Sequence, residues 1–427
     1  MAEKPFTLAV PDADLELLRK KLELTRLPDE LEGSKWDYGV PLEDIKRLVA
    51  KWKDGFDWRA AEAKINAIPQ FTRDIEVEGH GTLNVHYVHQ KSELQNAIPL
   101  LFVHGWPGHF MEVAKLLPLL TAVAPDQPSF HVVAFSLPGF GFSEAPKEKG
   151  FAISQYAEVG HKLMLALGYN EYVTQGGDWG FLITRVIAQK YGGKHAKAWH
   201  TNFPVTGPPS LTYSPGLFLR FLVTPFSAEE KKGIERTMWF RSKGRGYFEE
   251  QSTNPQTLGY SLADSPAGLL AWIHEKLVTW TDGYPWTDDE SEYFCVVKGD
   301  MSSKPVLTPS PLIVEVLTWI SIYWFSRPGP AASVRIYYEA STAKDWDKTQ
   351  YVPIPFGISL FPKELARVPK LWTRAIGKLV FASEHESGGH FAAHEKPAEL
   401  ADDLKKMFGV GGPAFGIVTG KSGYTAA

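Results

Sequence analysis

The chain has 427 residues, 44% of them hydrophobic and 22% charged, with a formal net charge of −4. Such a length supports a large core in one elaborated domain or two closely packed ones, and the lack of any Lys/Arg run excludes an electrostatic nucleic-acid or anionic-membrane surface. The single cysteine, Cys295, excludes an intrachain disulfide and fits a reducing compartment.

The N-terminal stretch MAEKPFTLAVPDADLELLRKKLELTRLP breaks into charge within a few residues, and no later segment is long and apolar enough for a signal or membrane anchor. A soluble, cytoplasmic protein is expected. Residues 1–95 read as a separate leading region. Leu15, Leu18 and Leu22 recur at helical spacing, PLEDIKRLVAKW and DWRAAEAKINAI repeat the amphipathic pattern, and FTRDIEV-EGHG-TLNVHYVHQ predicts a hairpin. Over 96–204 short apolar runs (AIPLLFV, FHVVAFS, YVTQ) alternate with helical stretches such as FMEVAKLLPLLTAV and GFLITRVIAQKYGG. Strand, loop and helix repeated with short connections predict a parallel sheet covered on both faces. Residues 205–340, rich in Pro, Trp and Tyr, predict an inserted helical lid. The alternation resumes over 341–427 with YVPIPFGISLF, GKLVFAS and a last amphipathic helix, and the glycine-rich tail is expected to be loosely held. The 14 Trp, 16 Tyr and 25 Phe suit an apolar ligand cavity and equally a large core.

TQGGDWGFLIT, residues 174–184, carries the chemistry. Gly176 and Gly180 flank Asp178 at the spacing of a sharp strand-to-helix elbow, where small residues two before and two after let a nucleophile stand out of the turn. A carboxylate in that place suits displacement at a saturated carbon, giving an alkyl ester on the enzyme that water then hydrolyses. Alkyl halides and epoxides are the substrates that fit. Ester hydrolysis needs a base, and the loop after the last predicted strand, EHESGGHF, offers His385 and His390. Gly388 and Gly389 favour His390. Its orienting acid is sought among Asp345, Asp347, Glu364, Glu384 and Glu386, with Glu364 just past the strand preferred. The oxyanion is assigned to the backbone N–H groups of Trp106, in HGWPG, and of Trp179; His104 is read as structural. The chemistry asks for no cofactor and no metal.

Together HGWPG (104–108), GGDWG (176–180), FPKE (361–364) and GGHFAAHEKP (388–397) resemble the microsomal-type epoxide hydrolases, including their soluble fungal members. The resemblance covers nearly the whole chain. It implies an α/β-hydrolase fold with an inserted helical lid and an N-terminal helical-meander extension, an aspartate nucleophile, a histidine base with a carboxylate partner, and two lid tyrosines that bind the epoxide oxygen. By motif these fall at Tyr247 in GRGYFEEQSTNP and at Tyr337 in SVRIYYEA, with Tyr338 the alternative. It also implies a soluble enzyme that can be a homodimer. A phenol with a pKa of about 10 can hydrogen-bond and then protonate the alkoxide of an opening epoxide. The expected partners are a small apolar epoxide and water. A haloalkane-type dehalogenase with the same triad, or an inactive ligand receptor of the same fold, stand as the other readings.

Overall fold

A computed structural model describes residues 3–286, 311–344 and 350–425. Cys295, Asp345 and Asp347 lie outside the described residues.

Nine strands are found among them: β1 (Lys4–Pro5), β2 (Gln70–Val77), β3 (Gly81–Gln90), β4 (Ile98–Val103), β5 (Phe130–Phe135), β6 (Tyr172–Gly176), β7 (Ala196–Thr201), β8 (Val352–Leu360) and β9 (Gly377–Glu384). They form one sheet in the order β1-β2-β3-β5-β4-β6-β7-β8-β9. The predicted hairpin is β2–β3, and it joins antiparallel to β5. From β5 through β4 and β6 to β9 every pairing is parallel.

β4, β5 and β6 are buried along their whole length. This explains their unbroken apolar sequences: helices cover both faces, so the two-residue period divides the side chains between two cores. Leu101, Val103, Val133 and Phe135 face one core, shared with the helix Trp179–Tyr191. Leu100, Phe102, Val132 and Ala134 face the other, under Leu404 and Phe408 of the helix Pro397–Phe408.

Between β7 and β8 the chain leaves the sheet and forms the helical lid. Its described helices include Pro215–Val223, Gly246–Thr253, Pro266–Trp280, Pro311–Trp324 and Arg335–Ala343. Proline at the first helical position loses nothing, since that N–H has no intrahelical acceptor, and Ser265 caps the helix Pro266–Trp280 by accepting from Gly268 N–H at 3.0 Å. No helix among the described residues is long and apolar enough to cross a membrane.

Three expectations are corrected. The leading region is not separate: Leu18, Leu22 and Trp52 sit in the same core as the lid residue Trp319, and Trp52 Nε1 donates to Ser321 Oγ at 3.1 Å. FMEVAKLLPLLTAV is not one helix but a 3₁₀ turn, Phe110–Val113, and a short helix, Leu117–Thr121, because Pro118 suits the start of a helix and not its middle. The tail is held, not loose. Gly423 N–H donates to Asn96 O, Asn96 Nδ2 donates to Tyr424 O at 2.7 Å, and Ala414 and Val418 are buried.

Candidate active site

Asp178 sits between β6 and the helix Trp179–Tyr191 with φ +51° and ψ −127°. A non-glycine residue in that region costs on the order of 1–3 kcal/mol, and the surrounding packing must enforce it. The two flanking glycines are a steric demand. A Cβ on Gly180 would lie 1.9 Å from Val103 O, and one on Gly176 would lie 2.5 Å from Gly180 O. The helix can start hard against β4 only because nothing larger than hydrogen stands there. The glycines of HGWPG serve carboxyls in the same way: a Cβ on Gly105 would meet Asp178 Oδ1 at 2.2 Å.

The two oxygens of Asp178 face different partners. Oδ1 accepts from the Trp106 backbone N–H at 2.8 Å, and Oδ2 faces His390 Nε2 at 3.4 Å. Trp179 opens the next helix beside them. On the far side of the imidazole, His390 Nδ1 donates to Glu364 Oε1 at 2.6 Å. Glu364 is itself buried just beyond β8, and the Leu365 N–H also donates to its Oε1. His390 is fixed from its backbone too, by donation to Trp280 O at 2.8 Å. His104 bridges the backbone of Gly105 and Leu137.

The other candidates go elsewhere. His385 Nε2 pairs with Asp403 Oδ2 at 2.7 Å on the last helix, Glu384 pairs with Lys370 and Arg367, and Glu386 is exposed.

Burial opposes protonation of His390, but Glu364 and Asp178 outweigh it and push its pKa up to about 10. A raised value makes the imidazolium a source of stability, complete below the unfolded value and lost as pH climbs through the folded one. His390→Gln removes that source. The stability advantage of the wild type over this variant, read from urea melts, is therefore expected to shrink between pH 6.5 and about 10, by on the order of 2–5 kcal/mol.

Asp178 opens onto a cavity of about 730 Å³ whose lining includes Trp179, Phe203, Tyr247, Phe248 and Tyr337. Of the two adjacent tyrosines, Tyr337 is 1% exposed and Tyr338 39%. Tyr337 is thus the one placed in the cavity. The Trp106 ring stacks on Tyr247 at 5.4 Å, and Trp179 meets Tyr337 edge-on at 4.7 Å. Burial, with Asp178 nearby, holds both phenols well above the usual tyrosine range. They remain neutral O–H donors.

Sequence reasoning missed three polar residues at this site. Gln175 Nε2 donates to Asn202 Oδ1 at 2.9 Å, and Asn202 Nδ2 lies 3.5 Å from His390 O. Glu112 is buried beside Gly108 and interacts electrostatically with His390 and Asp178.

Residues 3–113 match the family model described as "Epoxide hydrolase N terminus", and residues 98–220 match that of the alpha/beta hydrolase fold. A Stigmatella aurantiaca protein that carries the epoxide hydrolase name is 38% identical, with the match spanning 95% of this chain and 84% of that protein. "Epoxide hydrolase 1" of Sus scrofa is 34% identical over 95% of this chain and 88% of its own. The solved structure of Aspergillus niger epoxide hydrolase superposes with a TM-score of 0.77 at 34% identity, covering 95% of both chains. An aspartate on the elbow, a lid over the sheet and relatives matched along nearly their whole length agree: the chain belongs to the epoxide hydrolase family of the α/β-hydrolase fold.

Proposed function

We propose that the enzyme converts epoxides to vicinal diols in two steps, through an alkyl ester on Asp178, with Tyr247, Tyr337, His390 and Glu364 in the roles given below. The observation that carries this reading is the placement of one carboxylate between two buried phenols and a histidine–glutamate pair. Asp178 Oδ2 attacks the less hindered ring carbon, the C–O bond breaks, and the two phenols hold the alkoxide as it gains a proton. Once esterified, Asp178 is neutral, and His390 loses one of the two anions that keep it protonated. The imidazolium proton replaces the one that a phenol has given to the alkoxide, and the neutral imidazole becomes a base. It then takes a proton from water as that water attacks the ester carbonyl, whose oxyanion is stabilised by the Trp106 and Trp179 N–H groups. Collapse of the tetrahedral intermediate frees the diol and restores the carboxylate and the imidazolium.

The diol of the first turnover therefore takes its new oxygen from Asp178. In a single turnover in oxygen-18 water the diol is expected unlabelled, with the heavy atom in the peptide containing Asp178. Stoichiometric label in that diol would mean direct attack by water and would remove Asp178 as nucleophile. Two phenols beside the nucleophile speak for an oxygen leaving atom rather than a halide, which takes no proton; halide release from chloroalkanes measures the rival reaction directly.

A further inference from the structure

Asp178 lines two cavities of opposite character. One is the large apolar cavity that holds the tyrosines. The other has a volume of about 20 Å³, and its polar lining is Glu112, Gln175, Asp178, Asn202 and His390. A single water needs roughly 10–15 Å³ and two to four polar partners, so the small cavity has the size and lining for one molecule. Gln175 Oε1 is buried there with no protein hydrogen-bond partner among the described residues. The nucleophile thus stands between a space for substrate and a space for water.

We propose that Glu112 is a positioning residue for the hydrolytic water, holding it in the small cavity against the ester carbonyl of Asp178 and within reach of His390. The inference rests on the two-step reading above. Glu112 occupies a place made for it: a Cβ on Gly108 would fall 1.6 Å from its Oε1. Among the described residues the carboxyl makes no ion pair with Lys or Arg. Burial pushes the carboxyl up to about 8, with His390 pulling it down and Asp178 adding to the rise. At neutral pH it is chiefly the acid, with one O–H donor and one C=O acceptor, and can hold a water without a competing charge beside the base. In the step itself the water oxygen bonds to the Asp178 carbonyl carbon, its proton passes to His390 Nε2, and Glu112 neither gains nor loses one.

The test separates the half-reactions. Glu112→Met fills the space without hydrogen bonding. It is expected to alkylate at the wild-type rate, to hydrolyse the ester ~10- to 100-fold more slowly, and to unfold at no lower temperature, because a desolvated acid has been replaced by an apolar group. Glu112→Gln, a neutral donor and acceptor of the same length, should restore most of the hydrolysis rate. Glu112→Asp, which retracts the carboxyl by one methylene, should show the Met pattern in weaker form and serves if the Met variant does not fold. Unchanged ester hydrolysis in the Met and Asp variants overturns the proposal, as does an equal loss in both half-reactions. If the wild type forms no ester at all, the two-step reading fails first, and the oxygen-18 measurement shows it independently of any Glu112 variant.

Discussion

His390→Gln is expected to stop the enzyme at the alkyl ester. Asp178 keeps its charge and its Trp106 N–H contact in this variant, so the first displacement can proceed. The second step loses the group that takes the proton from water, and general-base assistance of this kind contributes on the order of 10²- to 10⁴-fold. Intact-protein mass spectrometry should show one equivalent of substrate added, mapping to the peptide containing Asp178. Glu364→Gln should slow the same step less, because the imidazole keeps its place while losing the partner that orients it. His385→Gln is the control. That histidine is tied to Asp403 on the last helix, so its loss should show in unfolding temperature and not in ester turnover. Full turnover by the His390 variant would remove it as the base.

The second large effect is expected in the lid. Each phenol donates to an oxygen that gains negative charge, a hydrogen bond worth roughly 1.5–3 kcal/mol. Tyr247→Phe or Tyr337→Phe alone should therefore slow alkylation ~10- to 100-fold, since about 1.4 kcal/mol corresponds to a factor of ten. With both phenols gone the alkoxide has neither donor nor proton source, and the double variant should be nearly inert toward epoxides. The rings that pack against Trp106 and Trp179 remain, so thermal unfolding should hardly change. Ester hydrolysis should be spared, because its charge develops at the Trp106 and Trp179 amides. Pre-steady-state alkylation of the three variants measures this. A folded double variant that alkylates near the wild-type rate would reduce both tyrosines to packing.

How much of this was legible in the sequence depended on whether a constraint was local. The elbow was, because Gly176 and Gly180 answer to contacts within a few residues of the turn and with the neighbouring strand. The parallel sheet was, because two covered faces impose unbroken apolar runs. His385 and His390 differ only in space, where Asp403 arrives from the last helix to hold one and Glu364 from the end of β8 to hold the other. The same is true of Tyr337 over Tyr338, which depends on which side of one helix faces the cavity. Glu112 was invisible. In FMEVAKLLPLL it reads as the solvent-facing acid of an amphipathic helix, yet Phe110–Val113 is a 3₁₀ turn that places it inside, next to a glycine. The tail misled for the opposite reason: its glycines suggested slack, whereas partners some 300 residues away, Asn96 above all, pin it down.

The lid is inserted between two strands that lie side by side, β7 and β8 pairing at Trp199 with Phe356 and at Thr201 with Ile358. Bringing those edges together closes a loop of about 150 residues, at an entropic cost on the order of 4–5 kcal/mol before other contributions. β4 to β7, joined by far shorter crossovers, face a cost about 1 kcal/mol or more lower for each closure and can assemble first. Asp178 lies on that early portion; Glu364 and His390 follow β8 and β9. A refolding chain thus places Asp178 before Glu364 and His390, and pairings this distant in sequence form slowly. Diol formation should return later than helical circular dichroism after dilution from denaturant, with a lag set by the docking of β8.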